Sequence, residues 1–274
     1  MDWKKQLEQI KTNLPHEKIK WIDSHAHYYV RQFNKDRDKL LKKLNDTELE
    51  LIINCGTNTQ SNQQVIELSN KYDFCYSIIG FFPCDVLEMD NEENIKTLKK
   101  QIKENKKVIG LGEIGLDYHW NKPSPDIQKA RFIEQINIAR ELNVPICIHS
   151  RDAEQDTLDI LKKYASDLSV AIHCYSNGVK TAKEYIEMGY YFGVGGTSTY
   201  KSNNELREAI KIIPIEQIIL ETDCPYLTPE PYRRERNDSS YIKYVIENIA
   251  NIKQLSTNEV IQITNNNVKK LYRI

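Results

Sequence analysis

The sequence predicts an α/β protein of the (β/α)8 TIM-barrel class: eight parallel strands closed into a barrel, with helices outside. Three observations lead there. Eight apolar runs of strand length recur along the chain, and charged stretches with helical periodicity separate them. Runs that are apolar throughout suit strands buried on both faces, as a parallel sheet requires. No Gly-x-Gly-x-x-Gly turn follows the first run, which disfavours the open doubly wound sheet.

Taken in order, Trp3, Leu7, Ile10 and Leu14 stand at near-helical spacing before Pro15, so residues 1–20 read as a short helical extension. The barrel then spans residues 21–274 as one domain. Its first strand is Trp21-Ile22-Asp23-Ser24-His25-Ala26-His27, and the others fall at residues 51–55, 75–81, 108–111, 146–148, 170–172, 190–194 and 218–220. Ile133, Ile136, Ala139 and Leu142 mark one intervening helix, with Ser124 as its cap and Pro125 at its first position. Two more helices, near residues 239–252 and 256–271, follow the last strand. No linker, low-complexity tract or repeat divides the chain.

The 274 residues suffice to bury roughly three quarters of the unfolded surface. Lys plus Arg (38) nearly balance Asp plus Glu (39), so a protein that coats nucleic acid through a basic face is excluded. An anionic substrate must be held by local groups. Residues 1–12 lack an apolar signal core and no run approaches the ~18 residues of a membrane span, so a soluble, cytoplasmic protein is expected. Nothing implies a membrane or an obligate protein partner. The six cysteines include no Cys-x-x-Cys pair, and Cys55, Cys147 and Cys174 lie in apolar runs where a thiol packs as a small hydrophobe.

A barrel of this class carries its site at the carboxyl ends of its strands, so the residues closing each run carry the chemistry. Strand one closes on His25 and His27, which share a face because side chains alternate along a strand. Strand four leads to Glu113, strand five to His149, strand six to His173 and strand eight to Asp223. Four imidazoles and two carboxylates desolvated together lack any counter-group but a cation. Six ligands suit two ions sharing a bridging carboxylate. His25, His27 and Asp223 would hold the first ion, His149 and His173 the second, with Glu113 between them. Two cations lower the pKa of a water toward neutrality, and Asp223 stands ready to take its proton. Hydrolysis follows as the reaction class.

The segments Asp23-Ser-His-Ala-His27, Gly112-Glu-Ile-Gly-Leu-Asp-Tyr118, Pro145-Ile-Cys-Ile-His-Ser-Arg151, His173-Cys-Tyr-Ser176 and Leu220-Glu-Thr-Asp-Cys-Pro225 resemble, in order and spacing, those of the TatD family of metal-dependent deoxyribonucleases. The resemblance implies an amidohydrolase-superfamily barrel, two divalent cations, and phosphodiester hydrolysis, commonly from a 3′ end of DNA. It puts the family's ligands on the same six residues. Two departures concern substrate. Gly80-Phe81-Phe82-Pro83 carries a phenylalanine where the family usually has histidine, and Pro231-Tyr-Arg-Arg-Glu-Arg-Asn-Asp-Ser239 keeps Arg233 and Asn237 of the family loop but replaces its glycine, lysine and last proline.

Arg151, two residues beyond His149, is suited to grip a phosphate with its two-pronged guanidinium. Arg233 and Asn237 are the further candidates for holding a DNA strand end. The histidine-rich set tolerates zinc, manganese, iron or nickel, and magnesium where a phosphate adds oxygen ligands. Two other readings share this pattern: ester or amide hydrolysis, such as removal of an aminoacyl group, and a binding protein that keeps its metals for structure alone.

Overall fold

The computed structural model of the protein describes residues 19–120 and 122–274. The expected leading helix lies outside them. Among the described residues, eight strands run in the order β1 to β8, each parallel to the next: β1 (Trp21–Ala26), β2 (Leu49–Cys55), β3 (Cys75–Ile79), β4 (Val108–Asp117), β5 (Ile146–Arg151), β6 (Val170–Ile172), β7 (Tyr191–Val194) and β8 (Ile218–Leu220). A parallel bridge between Ala26 and Cys224 joins the two ends of the sheet. The protein is therefore a (β/α)8 TIM barrel.

The helices are α1 (Arg37–Thr47), α2 (Thr59–Lys71), α3 (Glu92–Glu104), α4 (Pro125–Leu142), α5 (Glu154–Tyr164), α6 (Val179–Glu187), α7 (Asn204–Ile212), α8 (Ile242–Lys253) and α9 (Thr257–Tyr272). Helix α4 has the expected bounds. Ser124 is its N-cap residue but makes no side-chain capping bond; its carbonyl accepts from Gln128 N–H instead, and Pro125 starts the helix with no N–H to satisfy. Helix α9 begins with a reciprocal capping box between Ser256 and Glu259. The main departure among the strands is β4, which continues past Leu111 through Glu113 to Asp117.

Alternation sorts the core into two layers. Leu51, Ile53 and Cys55 of β2, Cys147 of β5, Ala171 of β6 and Ile219 of β8 share one buried cluster with Val268, Leu271 and Tyr272 of α9. Their strand neighbours Ile52, Ile146, Ile148, Val170, Ile172, Ile218 and Leu220 belong to the cluster that also contains the apolar faces of the outer helices. The first cluster fills the barrel and α9 closes one end of it. Side-chain amides fix that helix to the sheet: Asn265 accepts from Ile22 N–H and donates to the Lys20 carbonyl, while Asn267 donates to the carbonyls of Ile215 and Ile218. All six cysteines are free thiols; Cys55 and Cys147 pack inside the barrel, and Cys174 lies just beyond β6.

Candidate metal centre

The inward alternation that buries Cys147, Ala171 and Ile219 also directs the residues two further on. His149 follows Cys147, His173 follows Ala171 and Glu221 follows Ile219, while Asp223 lies past the end of β8 and is turned toward them by a left-handed backbone, φ 56°. Strand β1 needs an extra residue to join them. Its register against β2 slips between Asp23 and Ala26, three residues of β1 spanning two of β2. A bulge of this kind re-aims the side chains beyond it, here His25 and His27. Strand β4 has a matching slip against β5 between Leu111 and Ile114, around Glu113.

Glu113 lies at the centre of the cluster and divides the histidines between its two oxygens. Oε1 is 2.8 Å from His149 Nδ1 and 3.8 Å from His173 Nε2; Oε2 is 3.5 Å from His25 Nε2 and 3.8 Å from His27 Nε2. Asp223 Oδ1 lies 3.1 Å from His27 Nε2, 3.8 Å from His173 Nε2 and 3.9 Å from His25 Nε2. Thus Asp223 faces His173 as well as the β1 pair. All six sequence-derived residues come together at one mouth.

Each histidine has a polar group beside its other ring nitrogen. His27 Nδ1 is 3.0 Å from the Cys55 carbonyl, which can only accept, so Nδ1 carries the proton and Nε2 faces Asp223. His149 Nε2 is 3.0 Å from Asp117, and His173 Nδ1 is 3.1 Å from Glu221. His25 Nδ1 meets the Cys147 thiol at 3.6 Å. Asp23 stands behind the cluster, accepting from Thr222 N–H, the Thr222 hydroxyl and the Ser239 hydroxyl, which ties β1 to the segment carrying Asp223. Burial pushes its carboxyl up to about 7 despite those bonds.

The electrostatics follow from crowding. Burial opposes ionisation of Glu113, but hydrogen bonds from His149 and His25 and the field of His173 outweigh it and hold the carboxyl well below its ordinary range. Asp223 is lowered in the same way against burial, chiefly by His27. Burial also works against charge on the histidines. The carboxylates overcome it at His27, His149 and His173, the last pushed up to about 10 by Glu221 beside it. At His25 burial wins, helped by the facing ring of His173, whose centroid is 3.5 Å away.

These residues fit divalent cations. His25 Nε2 is buried without a hydrogen-bond partner, an orphaned nitrogen that a cation in the cluster would satisfy. Two ligands on one tetrahedral zinc, at about 2.0–2.1 Å from it, stand roughly 3.4 Å apart. The histidine-to-carboxylate distances of 3.1 to 3.9 Å around Glu113 Oε2 and Asp223 bracket that value. Three ligand groupings meet here: His25 with His27 and Glu113, Glu113 with His149 and His173, and His25 with His173 and Glu221.

Sequence reasoning missed Glu221 and Asp117. Both were legible as acids close to a chosen residue: Asp117 stands four after Glu113 on β4, and Glu221 directly follows the β8 run, two before Asp223. Gly193 of β7 makes room for Glu221, since a Cβ there would come within 2.2 Å of its Oε2.

The substrate candidates separate. Arg151 lines the cavity of about 770 Å³ that opens over the cluster, together with Tyr29, Phe82, Trp120 and Tyr226. Arg233 is not among its lining residues; it stacks on the Tyr200 ring at 3.9 Å, half exposed, beside a separate hollow in the 230–235 loop. Asn237 is buried under that loop, where its Nδ2 donates to the carbonyls of Thr222 and Tyr226. Phe82 packs edge-on against His149, ring centroids 4.6 Å apart.

The comparisons with known proteins agree with this geometry. A family model described as TatD related DNase matches residues 22–273. A Bacillus subtilis (strain 168) protein named uncharacterized metal-dependent hydrolase YabD is 39% identical over 254 residues, covering 92% of this chain and 99% of its own. The 3′-5′ ssDNA/RNA exonuclease TatD of Escherichia coli (strain K12) is 32% identical over 252 residues, covering 89% and 95%. The crystal structure of YJJV, a TatD homolog from Escherichia coli K12, superposes with a TM-score of 0.85 at 25% identity, covering 93% of this chain and 98% of that one. Among the described residues no helix is long and apolar enough to cross a membrane. With the family match running almost from the first strand to the last helix, the chain belongs to the TatD-related DNase family of metal-dependent hydrolases.

Proposed function

We propose that this hydrolase is a deoxyribonuclease that releases nucleotides from the 3′ end of a DNA strand, using two divalent cations held by His25, His27, Glu113, His149, His173 and Asp223. The observation that carries the reading is Glu113, whose two oxygens face two different pairs of histidines. Cations bound there supply Lewis acidity to a phosphate and make a nearby water acidic near neutral pH.

The chain's own groups do the rest. Asp223, held ionised by His27, accepts the proton of the attacking water. Glu221, Asp117 and the Cys55 carbonyl keep the histidine rings turned so that their other nitrogens face inward. Arg151 takes the substrate phosphate at the cavity wall. Asp117, with its pKa lowered against burial by the bond to His149, stays a carboxylate throughout.

Ester or amide hydrolysis is the second reading. It is favoured by the position of Arg233 and Asn237 outside the cavity, which leaves Arg151 as the one arginine or lysine among the described residues lining it. One assay separates the two. Metal-stripped protein, titrated with Mg2+, Mn2+ and Zn2+, is given a short single-stranded DNA beside the Glu113→Ala variant. Ion-dependent release of mononucleotides, lost in the variant, supports the nuclease and the role of Glu113 together. Intact DNA in the presence of two bound ions removes the phosphodiester reading and turns the search to acyl substrates.

A further inference from the structure

We infer that Trp120 and Tyr226 are stacking platforms for unpaired nucleobases on opposite sides of the cavity mouth, and so set its preference for an unpaired strand. The inference deepens the nuclease reading and rests on it in one respect: the substrate must carry bases.

Large apolar side chains are scattered singly over most protein surfaces and need no explanation. Trp120 and Tyr226 differ because both line the cavity over the histidine cluster while remaining 61% and 48% exposed. Trp120 follows β4 and Tyr226 follows β8, four strands apart in a barrel of eight, so they stand across the mouth from one another. Each is tied to the cluster beside it. Trp120 N–H donates to Asp117, the same carboxylate that meets His149, and the Trp120 ring packs edge-on against His119. The Tyr226 ring centroid is 6.3 Å from that of His27, and Tyr226 N–H donates to the Asp223 carbonyl.

The neighbourhood suits a nucleotide rather than a lipid or an apolar peptide. The Arg151 guanidinium lies 6.0 Å from the centre of the Trp120 ring, so a cation for a phosphate and a face for a base are adjacent. A cavity of about 770 Å³ is of the size that encloses a small ligand, not a duplex end. Bases must therefore be unstacked to enter, which costs a few kcal/mol in a duplex and little in a single strand. Aromatic faces return that cost without reading sequence.

The test compares two phosphorothioate strands of five residues that resist hydrolysis, one of thymidines and one abasic throughout. Their binding to the wild-type protein and to Trp120→Ala, Trp120→Phe and Tyr226→Ala is read by fluorescence anisotropy, and each variant's Tm is checked. The wild type should bind the base-bearing strand about tenfold or more tighter than the abasic one. Trp120→Ala and Tyr226→Ala should each lose most of that ratio, and Trp120→Phe should keep most of it. An unchanged ratio in both alanine variants overturns the inference. Hydrolysis of the unmodified strand is scored separately. Cleavage with an unchanged ratio leaves the nuclease standing and the platforms refuted. No cleavage, with a ratio that collapses in the alanine variants, does the reverse. A wild type that binds neither strand refutes both.

Discussion

Glu221 Oε1 stands 3.1 Å from His173 Nδ1 and also accepts the N–H of Cys174, so one buried carboxylate fixes both the ring and the turn that follows it. Carboxylates behind a ligating histidine typically govern metal affinity by 10–100-fold.

Glu221→Gln keeps the shape and loses the charge, and divalent-ion affinity measured by chelator competition should fall by about 10- to 100-fold. Gly193→Ala should act in the same direction, because its Cβ would meet the Glu221 carboxylate at 2.2 Å. Unaltered affinity in both variants would show that His173 needs no such support.

Ion affinity should depend steeply on pH. Without ions, carboxylates raise the pKa of His27, His149 and His173 against burial. Ions must displace those protons, so affinity for Mn2+ should fall as pH drops from 8 to 6, by roughly tenfold or more per unit. Stability of the stripped protein carries the complementary sign. The His173 proton stabilises the fold fully below the ring's ordinary 6.5, and that contribution is lost as pH rises through about 10. Glu113 works oppositely: its contribution is present above the ordinary 4.5 and is lost as pH falls toward its depressed value. Thermal melts of the stripped protein between pH 7 and 10 should show a falling Tm, and a flat profile would contradict the assignment.

Asn237→Ala should act on stability. The side chain is buried and its two donors satisfy the Thr222 and Tyr226 carbonyls, so its loss leaves buried acceptors unpaired at about 1–3 kcal/mol. Urea unfolding measures the loss. The salt dependence of DNA binding should stay as in the wild type, because no phosphate contact is removed.

Leu271→Ala opens a hole where α9 meets the barrel interior. The residue is 1% exposed, and truncations of this type cost about 2–5 kcal/mol. Chemical denaturation should show that loss, with ion stoichiometry retained in the folded fraction.

The sequence revealed this architecture to the extent that period-two patterning controls it. His149 and His173 each continue an inward series begun by an apolar residue, whereas Asp223 was assigned as the acid that closes the last run. His25 and Glu113 were assigned by chemical type, and they point inward because bulges in β1 and β4 add a residue that no local pattern announces. Glu221 was overlooked because its companion signal, a glycine on the neighbouring strand, reads as a strand-weakening residue until the two are seen in contact. Arg233 and Asn237 were named for the substrate from the resemblance of their loop to that of the family. Their positions depend on partners distant in sequence or on buried backbone, a Tyr200 ring for one and two carbonyls for the other, which charge and spacing do not encode.

The amide of Asn265 joins α9 to Ile22 at the start of the strand that carries His25 and His27. Biosynthesis gives that contact a timetable. A nascent chain emerges with its first two imidazoles early, while Asp223, the bridge that closes the sheet and the helix that plugs it arrive some 200 residues or more later, at about 5–20 residues per second. For tens of seconds the early histidines lack Asp223 and the closed barrel wall around them. Ion capture is therefore coupled to completion of the fold, and the growing chain has no preformed cage in which to hold the wrong metal.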